Sequence, residues 1–178
     1  LSDVGLKRMG VNVCTPGLHQ PDYRDDTIPP SEAAELYLSL YGVGQEENVD
    51  VELLSPLPKC LFEKSMYEDL SSKSLVHSSC HIYFGNSYAI DSCGDVLPCV
   101  HFSGYPLFSM FKEDGSIKNS SEFLNSLKGE IPSAFNKQIW HYTSEDCASC
   151  YDFADDCFGG CPLFWMKYDP DNDLKKTV

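Results

Sequence analysis

The chain has 178 residues, 42% of them hydrophobic, with nine cysteines and a net charge of −14. That length suits one domain or two small ones, and the apolar share is enough for a core that does not need disulfides. The negative charge repels phosphate backbones and anionic membranes, no stretch nears ~18 apolar residues, and the opening LSDVGLKRMG has no leader pattern.

Residues 1–75 read as alternating helix and strand. LSDVGLKRM has the pattern of a helix end, and GVNVCTP that of a short buried strand carrying Cys14. HQPDYRDDTIPP is a polar loop. SEAAELYLSLYG reads as a helix capped by Ser31, with Ala33, Leu36, Tyr37, Leu40 and Tyr41 at helical spacing and Gly42 as its stop. NVDVELLSPLP gives a second strand and a proline break. Strand, loop, helix and strand in this order predict a parallel α/β unit, and its two strands call for neighbours outside the chain.

The character changes near residue 76. CHIYFGNSYAIDSCGDVLPCVHF is rich in β-branched and aromatic residues, and SCGD reads as a hairpin turn around Gly94. Residues 120–128 predict one short helix, and SAFNKQIWHY a second. Tyr83, Phe84, Tyr88, Phe102 and Tyr105 are expected in the core. No internal repeat, phosphate-cradling glycine loop, HExxH motif or Ser/His/Asp ordering occurs.

The cysteines carry the functional signal. Cys80 is followed by thirteen residues, Gly94, four residues and Cys99. Later comes the dense run Cys147-x2-Cys150-x6-Cys157-x3-Cys161, with two glycines before Cys161. Two cysteines separated by two residues can aim both sulfurs at one metal centre, and glycines let backbone approach a bulky group. Thiolates so spaced suit a zinc ion or an iron–sulfur cluster. Only one CxxC is present, unlike a zinc ribbon, and a disulfide framework suits a secreted chain better than this one.

This order of cysteines and glycines closely resembles the SPASM domain, the C-terminal auxiliary-cluster extension of many radical SAM enzymes that modify peptides or proteins. The resemblance covers about residues 76–165. It implies an α+β chain: a short α/β unit at 1–75, similar to the tail of a radical SAM partial barrel, then a cysteine-rich domain at 76–178 with a β-hairpin and short helices. It also implies two auxiliary [4Fe–4S] clusters, the first held by Cys80, Cys99 and Cys161 and the second by Cys147, Cys150 and Cys157. Cys161 would thus serve the other centre from the end of the dense run, as in two-cluster ferredoxins.

The chain departs from the family in three ways. The gap between Cys150 and Cys157 is one residue longer, no cysteine follows Cys161, and no CxxxCxxC is present to hold a SAM-cleaving cluster. The expectation is a C-terminal fragment, inactive alone, of a cytoplasmic oxidoreductase. S-adenosylmethionine and a third cluster would belong to an N-terminal barrel, the expected partner together with a peptide or protein substrate. Neither nucleic acid nor membrane is expected as a partner. Cys93 and Cys60 are candidate fourth ligands of the first cluster; Asp156 or a thiolate beyond residue 178 is the candidate for the second. His81 and His101 lie close to proposed ligands and are placed to hydrogen-bond a cluster sulfur; His19, His77 and His141 carry no such signal. The alternatives are a zinc-stabilised interaction module and a disulfide-stapled secreted domain.

Overall fold

The computed structural model describes residues 5–16, 27–139 and 143–170. They form an α+β chain of two compact units. The first unit takes 5–16, 27–80 and 143–170, so the dense cysteine run packs with the N-terminal part of the chain; the second takes 81–139.

In the first unit, β1 (Arg8–Val11) pairs in parallel with β2 (Asp50–Leu53), in register from Arg8↔Asp50 to Val11↔Leu53. Helix α1 (Pro30–Glu46) connects them, completing the expected strand–helix–strand unit. β1 begins earlier than GVNVCTP suggested, and it alternates between exposed and half-buried instead of lying buried. The reason is that β2 is its only partner strand among the described residues. Cys14, beyond its end, is exposed. The expected helix end at 1–9 is replaced over its described part by a turn and β1; residues 1–4 lie outside the described residues.

α1 starts differently from its sequence reading. Pro30 occupies the first turn, where its missing N–H costs nothing, and no side chain caps the helix, so Ser31 does not play that role. It runs past Gly42 to Glu46. Near its end Gly44 packs so closely that an added Cβ would lie 2.6 Å from the Val49 carbonyl oxygen. Ala33, Ala34 and Tyr37 face inward, whereas Leu36 and Leu40 remain about half exposed. The Tyr37 hydroxyl donates to the Val51 carbonyl at 3.1 Å, tying α1 to β2.

Beyond β2 the chain makes a 3₁₀ turn at Lys59–Leu61 and a second helix, α2 (Lys64–Ser72), which the sequence reading passed over. Glu63 caps α2 through the Met66 N–H. The chain then returns beside β2, with Leu53 N–H on the Leu75 carbonyl and Leu57 N–H on that of His77. Leu57, Leu70 and Leu75 are fully buried there.

In the second unit, β3 (Ala89–Ile90), β4 (Asp95–Leu97) and β5 (Phe108–Ser109) form an antiparallel sheet in that order. β3 and β4 are the expected hairpin; β5 is an addition. Gly94 makes the turn at φ +79, and an added Cβ would lie 2.2 Å from the Phe111 ring. The Asp91 carboxylate accepts from Cys93 N–H and Asp95 N–H and closes the turn. Helices α3 (Ser120–Ser126) and α4 (Glu130–Ile139) match the two expected there, although residues 140–142 lie outside the described residues. α3 begins with a reciprocal Asn119–Glu122 capping box. Of the expected core aromatics, Tyr83 and Phe102 are buried and Tyr88 is half-buried, but Phe84 and Tyr105 are about half exposed. Tyr105 instead lines a groove of about 580 Å³ with Ile131 and Phe135. Among the described residues, no helix is long and apolar enough to cross a membrane.

Candidate functional site

All nine cysteines lie among the described residues, and none forms a disulfide. Seven belong to the first unit; Cys93 and Cys99 belong to the second. The dense run opens with α5 (Glu145–Ser149), which carries Cys147 and has Cys150 as its C-terminal cap. The Cys150 N–H bonds the Cys147 carbonyl at 3.2 Å, closing the CxxC turn. Ser144 Oγ lies 3.6 Å from Cys147 Sγ and donates to it.

The longer gap between Cys150 and Cys157 is taken up by a tight loop. Phe153 and Cys157 form a parallel bridge, and Ala154, at φ +65, bonds its N–H to the Cys157 carbonyl at 2.9 Å. Cys157 N–H bonds the Asp152 carbonyl at 2.9 Å. The loop is fixed by the ammonium of Lys59, whose Nζ is 2.8 Å from both Asp152 Oδ1 and Asp156 Oδ2. These two carboxylates hold the Lys59 pKa well above the usual lysine range. Below, the buried Ser78 hydroxyl donates to the Asp156 carbonyl and accepts from the Tyr67 hydroxyl.

Cys157 is buried, and Gly159 N–H donates to its sulfur at 3.4 Å. Burial pushes its thiol up; the Lys59 and Gly159 backbone N–H groups and the Ser78 hydroxyl act in the other direction. Gly159 and Gly160 then both take positive φ, +78 and +77. A Cβ at Gly160 would meet Pro58 Cδ at 2.7 Å and the Pro56 carbonyl at 2.9 Å. Beyond this reversal the Cys161 N–H bonds the Pro56 carbonyl at 3.0 Å. Gly160 N–H bonds Ser78 O, and Ser79 pairs with Gly160, so Cys80 and Cys161 each follow a paired residue.

Cys60 sits in the 3₁₀ turn beside Lys59. Its thiol is pushed up to about 11, first by burial, then by the charges of Cys157, Cys147 and Cys150. As a whole the residue keeps solvent contact. Read from the sequence as a candidate for the first set, Cys60 therefore lies in electrostatic reach of the second. Its position after a proline-rich break gave no spacing signal for that. Asp156, the other candidate, has its carboxylate engaged by Lys59.

In the second unit, Cys99 precedes the 3₁₀ turn Val100–Phe102 and accepts the Phe102 N–H on its carbonyl. His101 lies on that turn, and burial lowers its pKa, favouring the neutral imidazole. His81 and His77 are exposed; His19 and His141 lie outside the described residues. Cys93 is exposed beside the hairpin glycine. Among the described residues, no three His, Cys, Asp or Glu side chains converge as ligands of a single metal ion. A cluster makes a looser demand, because each thiolate binds a different iron. No protein-family model, curated protein or solved structure matches the chain.

Proposed function

We propose that this chain is the auxiliary-cluster part of a radical SAM enzyme that modifies a peptide or protein. In this reading the first cluster is held by Cys80, Cys99 and Cys161, and the second by Cys147, Cys150 and Cys157. Residues 1–75 supply the last strands of the barrel, and the barrel itself, with its SAM-cleaving cluster, is the partner.

One observation carries the reading: the Gly159 N–H donates to the buried Cys157 sulfur at 3.4 Å, in the short run that also carries Cys147 and Cys150. Amide N–H groups directed at a sulfur stabilise its thiolate, the form that binds iron. The Gly159–Gly160 reversal supports dividing the dense run between two sites, since it turns the Cys161 N–H onto the Pro56 carbonyl while the Cys157 N–H bonds the Asp152 carbonyl.

Bound clusters would supply one-electron transfer and, at an iron that no protein side chain holds, a place for a substrate thiolate. The chain's own residues orient the sulfurs and exclude water. The buried Leu163 and Phe164 follow Cys161, and Trp165 Nε1 donates to the Gly159 carbonyl at 2.7 Å, closing one side of the loop.

The test is anaerobic reconstitution with iron and sulfide. A brown chain absorbing near ~400 nm, with iron and sulfide in equal amounts, supports the reading. Uptake of zinc without sulfide would replace it with the second reading, a zinc-stabilised interaction module built on the same cysteines.

A further inference from the structure

We propose that the second unit is a self-contained insert, joined to the first through a neck that Gly159 and Gly160 clasp shut. In the apo chain the insert and the first unit then unfold independently of one another. The described residues of the insert, 81–139, run without interruption. This inference goes beyond the cluster reading and stands without it.

The neck lies wholly within the first unit. The chain leaves that unit after Cys80 and has returned by Thr143, 64 positions beyond Ser79, taking 79 from 143. Both points meet the glycine pair. Ser79 pairs with Gly160 in an isolated parallel bridge, and the Phe158 and Gly160 N–H groups both donate to the Ser78 carbonyl, at 3.2 and 3.1 Å. One residue earlier, the buried Thr143 hydroxyl fills the space that a Gly159 Cβ would take. Ser79 and Thr143 are therefore no more than about 15 Å apart. Only glycine suits either place, since both backbones have positive φ and a Cβ at Gly160 would press on Pro58 and the Pro56 carbonyl.

Each unit also closes on itself. In the insert, the Leu107 N–H bonds the Val96 carbonyl at 2.8 Å and the Met110 N–H bonds the Gly94 carbonyl at 2.7 Å. Phe102 packs edge-on to Phe135 and Phe108 to Phe123, with centroids 5.5 and 5.2 Å apart. Ile82, Val96, Leu97 and Leu107 give it a core of its own. In the first unit, the segments before and after the neck are tied together by the Lys59 ion pairs, the Tyr67–Ser78–Asp156 hydrogen bonds and the Cys161 N–H on Pro56. An unfolded insert becomes a loop whose ends the clasp still holds. The entropic cost of closing such a loop grows only with the logarithm of its length, so the first unit loses little. A partner or substrate that engages the insert can thus order it or open it without disturbing the dense cysteine run.

The experiment follows hydrogen exchange by mass spectrometry, peptide by peptide, in the full 178-residue chain, reduced and metal-free, across a urea series. Peptides from 89–118 report on the insert; those from 50–57, 64–79 and 157–165 report on the first unit. The two sets should unfold at different midpoints. Gly94→Ala should speed exchange in 89–118 by about fivefold or more and leave the first-unit peptides unchanged. Gly160→Ala should do the reverse, exposing 157–165 and 64–79 while 89–118 keeps its protection, even where the first unit no longer folds. One midpoint shared by both sets, and still shared in Gly94→Ala, overturns the inference, because the chain then unfolds as one body. Loss of protection at 89–118 in Gly160→Ala overturns it as well.

Discussion

Ser79 and Gly160 form an isolated parallel bridge, and each is followed directly by a cysteine, Cys80 and Cys161. Two segments 81 positions apart, taking 79 from 160, thus bring the first and last cysteines of the motif side by side along the backbone. The bridge is supported by Gly160 N–H on the Ser78 carbonyl and Cys161 N–H on the Pro56 carbonyl. Cys161→Ala should therefore damage the site that contains Cys80 and spare the one that contains Cys147. Iron counted in Cys161→Ala, alone and combined with Cys147→Ala, checks this. Losses that fail to add would assign Cys161 to the Cys147 site instead.

Cys147 and Cys150 share one closed turn at the end of α5. Replacing both with Ala should abolish one cluster and leave part of the other. Unchanged iron content in the double variant would show that the ligand assignment is wrong.

Cys60 gives the apo chain a pH signature. A thiol whose folded pKa lies above its unfolded value favours folding while it stays protonated. That contribution is whole below about 8.5, the ordinary thiol value, and fades as pH rises. It is lost through about 11, the raised value of Cys60, with the raised Cys157 thiol acting in the same sense. Peptide mapping after iodoacetamide pulses at stepped pH should show Cys60 labelling rise late, towards that upper value. A rise centred on the ordinary thiol value would show that burial does not raise this thiol.

Lys59 holds the loop by its charge. Its side chain is 13% exposed, while those of Asp152 and Asp156 are 42% and 62% exposed. Solvent at the carboxylates weakens the pairs, so Lys59→Met should cost only about 1–2 kcal/mol, mostly by leaving two carboxylates facing each other. Urea unfolding of the apo chain at low and high salt measures it. A salt-insensitive loss would point to lost packing of the lysine stem.

Gly94 combines a left-handed backbone with a ring lying where a Cβ would be. Gly94→Ala should destabilise the second unit by about 1–3 kcal/mol from backbone strain, plus whatever displacing Phe111 adds. Thermal unfolding followed by circular dichroism tests this. An unchanged midpoint would mean that turn and ring rearrange freely.

Much of the architecture was legible locally. The helical spacing of SEAAELYLSLYG, the β-branched run in NVDVEL and the glycine turn in SCGD each reflect nearest-neighbour backbone preferences, and they appear as α1, β2 and the β3–β4 hairpin. The glycines beside Cys157 and Cys161 likewise announced a reversal, because few other residues take positive φ cheaply. Local pattern failed where burial depends on distant partners. Cys14 looked like a core residue by its neighbours yet is exposed, because β1 pairs with β2 alone among the described residues. Leu36 and Leu40 have core spacing but stay about half exposed among the described residues.

By itself the sequence determined which residue types follow one another in order: six cysteines, a hairpin glycine and a glycine pair. Only the tertiary structure decided which residues meet the dense run. Lys59 comes 93 positions before Asp152, and no spacing rule reaches so far. What joins them is long-range: the Lys59 ammonium between Asp152 and Asp156, and the buried Ser78 beneath the same loop. An ion pair or a buried hydrogen bond depends on distance in space, which the order of residues leaves open until the chain has folded back on itself.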